Sequence, residues 1–289
     1  MQLSGTRPRW SFDAKSTASQ CNQLRFRIGP HCSPGVPLQL MHGNGNVIAV
    51  LAGYRGSATL RERAALARYV CEQLTTVRVD GVAFLQRTES MVRFWFHDRD
   101  GTYEPTCGNG LRCATRLLSD LGQLTGRTEI VTDIGPRRVR MAHGEPVVSV
   151  GSPREGRRLG PNCFFVVTDI PHLVLLYGPV DDVDVAMHGS RMAHDRRLCR
   201  AVGHPEGLHV DFIAPTAAGI DLRTYEIGVE DETAACGTGA AAAACIATWQ
   251  GFHRMPVEVR TRGGTLVVSS ERDELFITGQ VDYLIRPHH

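Results

Sequence analysis

The chain has 289 residues, of which 42% are hydrophobic and 21% charged, and its formal net charge is +2. That length suits two ordinary domains with an ample core, and the apolar fraction excludes wholesale disorder. The near-neutral charge gives no electrostatic case for nucleic acid, and no run reaches the roughly eighteen apolar residues a membrane-spanning helix needs.

Residues 1–37 are rich in Ser, Arg, Pro and Gly and read as a flexible leader without the apolar middle of a secretory signal. A soluble, cytoplasmic protein is the expectation. Ordered structure is expected from Leu38, with the strand-like LQLM, followed by a helix near 58–75 where Leu60, Leu66, Val70 and Leu74 recur at near-helical spacing. Strands are expected at 81–86 and 91–96, a turn at Asp100-Gly101, and a helix from Gly108 to near Gly122. Residues 129–150 alternate like strands, and 151–161 read as a linker or exposed loop. A second strand-rich half carries apolar runs at CFFVVTDI, HLVLLYG and HVDFIAP, a short helix at 237–250, and closing strands at VEVRT, TLVVSS and LFITG.

The cysteine count is nine, odd and scattered, which fits reduced thiols better than a disulfide framework. Lys15 is the only lysine and sits in the polar leader, so a pyridoxal phosphate Schiff base has no suitable partner. Zinc is not expected, because Cys107 and Cys113 lack close-pair ligand spacing.

One feature is duplicated. Residues 106–113 read TCGNGLRC and residues 235–242 read ACGTGAAA. Each sets a cysteine before a Gly-x-Gly turn that opens an apolar helix. Helix starts carry unpaired N–H groups, and glycines let a ligand approach them closely. Such ends suit a carboxylate, and their field is expected to depress the pKa of Cys107 and Cys236. Two opposed thiols, one base and one acid, can remove a proton from one face of a carbon and return one to the other. The amides of Gly108, Asn109, Gly237 and Thr238 would stabilise charge developing on a substrate carboxylate. The chemistry calls for no metal and no organic cofactor. Cys113 and Cys245, further along the same helices, read as core thiols.

These motifs resemble the diaminopimelate epimerase family of pyridoxal-independent, two-cysteine epimerases. MHGNGN (41–46) is similar to that family's opening MHGLGN. CGNGLRC, PHLV (171–174), YEIGVEDETAACGTGA (225–240) and TGQ (278–280) follow in order. The resemblance implies an α/β (α+β) fold of two pseudo-symmetric domains, each a barrel-like sheet around a central helix, with the site between them. The expected division is 38–150, with 279–289 returning to it, and 151–278. The resemblance also implies Cys107 and Cys236 as the acid/base pair, Asn46 as a substrate contact, and His172 and Glu226 as holders of the α-amino group.

Four positions depart from the family pattern. Ile227 replaces the arginine that binds the distal carboxylate of diaminopimelate, and Ile170 replaces an asparagine. Asp98 and His209 also stand where the family has asparagines. Losing a forked, charged carboxylate binder leaves an apolar wall. The expected function is therefore an amino-acid racemase or epimerase acting on a neutral or basic amino acid, histidine being one case. A diaminopimelate epimerase converting the L,L to the meso form is the alternative, and a catalytically silent binding protein is the reading from another class. The expected partner is a small amino acid, with no nucleic acid and no membrane, and a homodimer is the candidate assembly.

Overall fold

A computed structural model describes residues 15–21, 38–55, 59–124, 126 and 128–285. Its helices are α1 (residues 15–21), α2 (Leu60–Gln73), α3 (Gly108–Asp120), α4 (Val185–Ala193), α5 (Arg196–Val202) and α6 (Gly237–Trp249). The remainder is strand-rich, and the same order of pairings occurs twice.

In the first pass Leu38–Gly43 pairs antiparallel with Asn46–Ala52, which runs parallel to Gly81–Arg87 after the α2 crossover. Gly81–Arg87 pairs antiparallel with Val92–Asp98, and the α3 crossover brings Thr128–Thr132 parallel to that strand. In the second pass Cys163–Thr168 pairs antiparallel with Ile170–Leu176, which runs parallel to His209–Thr216 after α4 and α5. His209–Thr216 pairs antiparallel with Gly219–Glu226, and the α6 crossover brings Val257–Thr261 parallel to that strand. Antiparallel hairpins complete each pass. Glu274–Gly279 then pairs with Glu145–Ser149, and Val281–Tyr283 with Leu38–Gly43, tying the chain's end to its beginning. This is the mixed α/β, pseudo-symmetric architecture expected from the sequence.

The two central helices share one core. Leu111, Cys113, Ala114, Leu117 and Leu118 of α3 pack in the same buried cluster as Ala240–Cys245 of α6 and Ile277 between them. The alanine run makes α6 apolar on every side, which a helix sheathed in strands requires. Cys113 and Cys245 are core thiols. A second cluster lies under α2, whose N-terminus is closed by a capping box between Thr59 and Glu62. A third lies under α4 and α5.

Two expectations need correction, and the structure adds two helices that the sequence pattern does not announce. Of the leader, 15–21 is helical and docked: Thr17 Oγ1 lies 2.6 Å from Thr76 Oγ1, and Cys21 is buried beside Val70 and Leu74. The rest of 1–37 lies outside the described residues. Within 151–161, Arg154–Gly160 is an exposed edge strand on Cys163–Thr168 and not a loop. Its charged, glycine-containing sequence hides the strand, but Arg157 and Arg158 lay their guanidinium groups over Phe165 and Phe164 at 5.1 and 5.8 Å. Helices α4 and α5 lack an apolar period long enough to read, and start instead on the Asp184 and Asp195 N-caps.

Candidate active site

A short strand precedes each cysteine turn, Tyr103–Glu104 before Cys107 and Asp231–Thr233 before Cys236. Each cysteine is the N-cap of its helix. The Gly110 N–H donates to Cys107 Sγ at 3.4 Å, and the Gly239 N–H donates to Cys236 Sγ at 3.3 Å. The first intrahelical bonds close only at Leu111 and Ala240, so the preceding amides of Gly108, Asn109, Gly237 and Thr238 have no helical partner.

The two helix starts abut. A Cβ built on Gly108 would lie 3.5 Å from Gly237 Cα, and each glycine's Cβ would press on Ile277 Cδ1, at 2.8 and 2.6 Å respectively. Glycine is thus required here by close approach, and it brings both cysteine turns to one cleft of about 780 Å³. Cys107 and Cys236 both line it, and both thiols are free.

The cleft's near wall is pinned by side-chain amides. Asn46 and Asn109 each donate to the Ala235 carbonyl at 3.0 Å, bridging the first cysteine turn to the second. Behind them Arg112, fully buried, donates to Asn44 Oδ1 at 2.6 Å and to Asn109 Oδ1. Burial lowers this guanidinium's pKa to about 10. An arginine in that helical position reads as a surface residue, so its strut was not legible from sequence.

Glu226 lines the cleft and accepts from the Thr233 hydroxyl. Burial raises its pKa, while Thr233, Cys236 and His172 pull it back. Asp98, Ile170, His209 and Ile227, the four departures from the family pattern, also line the cleft. So does Glu104, which sequence reasoning missed. Its only signal is an acidic residue three positions before the first cysteine.

His172 is the exception among the expected site residues. It is wholly buried and does not line the cleft. Its Nδ1 lies 2.7 Å from Asp211 Oδ2, and Asp211 Oδ1 accepts from the Thr224 hydroxyl at 2.7 Å. Its ring packs against that of His209, 5.2 Å between centroids, and His209 forms the cleft wall in its place.

The expected depression of the two thiol pKa values is not what the structure gives. Burial pushes Cys107 well up, and Asp98 and Glu226 add to it, against the Gly110 N–H. Burial pushes Cys236 up as well, reinforced by Glu226 and Asp211, against Thr238 and the Gly239 N–H. The helix-end field is present, but desolvation and surrounding carboxylates outweigh it. Both sulfurs are thereby biased toward the protonated thiol.

Among the described residues no group of three or more His, Cys, Asp or Glu is arranged to hold a metal ion. No helix among them is long and apolar enough to cross a membrane.

The family model described as diaminopimelate epimerase matches residues 38–155 and 161–284. The diaminopimelate epimerase of Methanocella arvoryzae is 30% identical over 263 residues, covering 84% of this chain and 92% of that protein. That of Chlorobaculum tepidum is 32% identical over 252 residues, covering 83% and 95%. Among solved structures, a phenazine biosynthesis PhzF-family protein of Bacillus anthracis aligns with a TM-score of 0.62 at 14% identity, over 86% of this chain and 97% of that one. A hydroxyproline epimerase of Agrobacterium vitis, with trans-4-hydroxy-L-proline bound, aligns at 0.59 and 13% identity, over 85% and 90%. These two likenesses carry the fold alone. The sequence matches carry more: the chain belongs to the diaminopimelate epimerase family, a family of isomerases comprising cofactor-independent racemases and epimerases.

Proposed function

We propose that this protein inverts Cα of an amino acid by a two-base mechanism in which Cys107 and Cys236 are the acid/base pair. The observation that carries the reading is the contact of Gly108 with Gly237, which sets two cysteine-capped helix starts on one cleft. One sulfur removes the α-proton while the other delivers a proton to the opposite face, so the roles exchange with the direction of reaction. The unpaired amides of Gly108, Asn109, Gly237 and Thr238 stabilise the carboxylate as negative charge spreads onto it from the carbanion. Glu226 holds the α-ammonium, and Asn46 and Asn109 keep the two turns together. His172, behind the wall, orients His209 and Glu226 rather than touching substrate.

A thiol can act as base only when its proton leaves at acceptable cost. The incoming ammonium supplies that condition, because it neutralises Glu226, one of the carboxylates raising both thiols. Substrate binding and thiolate formation are therefore coupled.

The substrate is an amino acid other than diaminopimelate, neutral or basic, with histidine as one example. Ile227 and Ile170 support this, since an apolar wall offers nothing to a second carboxylate. The functional division is 38–150 with 279–289 against 151–278, supported by the repeated strand order. A cytoplasmic location is supported by the odd, scattered set of nine cysteines, which suits reduced thiols better than a disulfide framework.

Incubation with a panel of amino acids in deuterium oxide, followed by mass spectrometry and chiral separation, tests the reading. Deuterium at Cα together with the opposite enantiomer is expected. Exchange with no amino acid ends it. A second reading, conversion of L,L- to meso-diaminopimelate, is favoured by the names of the sequence relatives and predicts that this compound outperforms the rest of the panel.

A further inference from the structure

We propose that Asp98, Glu104 and His209 form a subsite for a cationic side chain, so that the amino acid taken is a basic one bearing a guanidinium, ammonium or imidazolium group. The proposal rests on the racemase reading only for placing the α-carbon between the two cysteines.

Asp98 and Glu104 both line the cleft. Among the described residues neither side chain has a hydrogen-bond or ion-pair partner. Arginines on that side of the cleft are turned elsewhere: Arg68 donates to the Asp100 carbonyl at 3.3 Å, Arg78 faces Asp80 at 3.6 Å, and Arg99 donates to the Val79 carbonyl at 3.1 Å. The largest charge effects on Asp98, after burial, come from Glu104, Glu226, Asp100 and Asp80, all of its own sign. Glu104 likewise feels Glu226 and Asp100. Partly buried carboxylates with no counter-charge are costly unless something supplies one.

A second observation comes from the imidazole beside them. His209 is 5% exposed, lines the same cleft, and its Nδ1 has no hydrogen-bond partner. Burial and the neighbouring His172 keep this ring neutral, so it adds a hydrogen-bonding position without adding a repelling charge. A metal ion is the other cation to weigh, but the carboxylates and His209 do not form a metal-binding group. Ile170 and Ile227 supply apolar walls for a side-chain stem, and Glu226 is occupied with the α-ammonium. A ligand with a second positive charge completes the set. A ligand with a distal carboxylate finds no cation there, only two carboxyl groups and an isoleucine.

Calorimetric titration of the full-length protein with L-arginine and L-citrulline reads the subsite without requiring turnover, because the two differ in charge and little in shape. L-lysine against L-norleucine repeats the comparison for an ammonium, and L-histidine is included. At least tenfold tighter binding of the charged member is expected, and Asp98→Asn or Glu104→Gln should erase that ratio. Equal binding within both pairs, no binding, or a ratio untouched by both substitutions overturns the subsite. The same panel scored for Cα deuterium separates the two claims. Exchange without a charge preference sinks the subsite and leaves the racemase, whereas a charge preference without exchange does the reverse.

Discussion

Gly108 and Gly237, separated by more than a hundred residues in the chain, meet so closely that neither has room for a methyl group. A Cβ on Gly237 would lie 2.6 Å from Ile277 Cδ1 and 3.5 Å from Gly108 Cα. Ile277 is fully buried between the two central helices, so its end methyl has little space to retreat. Gly237→Ala is expected to cost about 1–3 kcal/mol by overpacking. Ile277→Val removes the obstructing Cδ1, so the double variant should be more stable than the sum of the two single losses. Denaturant unfolding of the four proteins measures the coupling, and strict additivity would show that Gly237 and Ile277 do not touch as described.

Serine tests the thiols without disturbing the caps. Cys107 and Cys236 are N-caps, and serine is among the preferred residues at that position. Cys107→Ser and Cys236→Ser should therefore keep the melting temperature close to that of the parent. Racemisation should fall by about 10²–10⁴-fold in each, the usual scale for losing a positioned acid or base. Near-normal turnover in either variant would reject the two-base mechanism.

The cysteine turns were legible because their chemistry is local: Cys-Gly-x-Gly followed by an apolar run specifies a capped, glycine-started helix wherever it occurs. The two-fold repeat of strands around a central helix followed from the family resemblance, whereas the strand pairings themselves did not. What could not be read depends on neighbours distant in sequence. Asp211 holds His172 from another strand, 39 residues on, and displaces it from the cleft wall in favour of His209. Arg112 is buried because Asn44, Asn109 and the Gln280 carbonyl converge on it, and a helix pattern alone shows none of them. Leu60 looked like a core position of α2, yet it is 50% exposed while Arg63 lies buried over Trp95. The thiol pKa shift was misjudged for the same reason. A helix end is visible in the sequence, but its burial among Asp98, Glu226 and Asp211 is not.

Raised thiols set the shape of the pH–rate profile. With both thiol pKa values raised, the fraction of enzyme with one thiolate and one thiol grows as pH increases. Between about pH 7 and about pH 9, kcat/KM should climb with pH, the limb expected when the required base is mostly protonated. A profile already flat below pH 8 would mean that helix-end amides overcome burial after all.

Asp98 should leave its mark on stability in the absence of ligand. Burial and neighbouring carboxylates raise its pKa to about 8, far above the unfolded value of about 3.9. The folded chain therefore binds a proton that the unfolded chain has released over that interval, and stability falls as pH rises through it. Below the unfolded value both states are protonated and the penalty disappears. Glu104, raised to about 7, contributes in the same direction over a narrower interval. Asp98→Asn removes the ionisation while keeping the shape, so its melting temperature should exceed that of the parent by a margin that widens from pH 5 to pH 8.5, reaching several degrees. Differential scanning calorimetry across that range measures the margin. A constant difference, or one that shrinks toward alkaline pH, would show that Asp98 already has its counter-charge within the protein and needs none from a ligand.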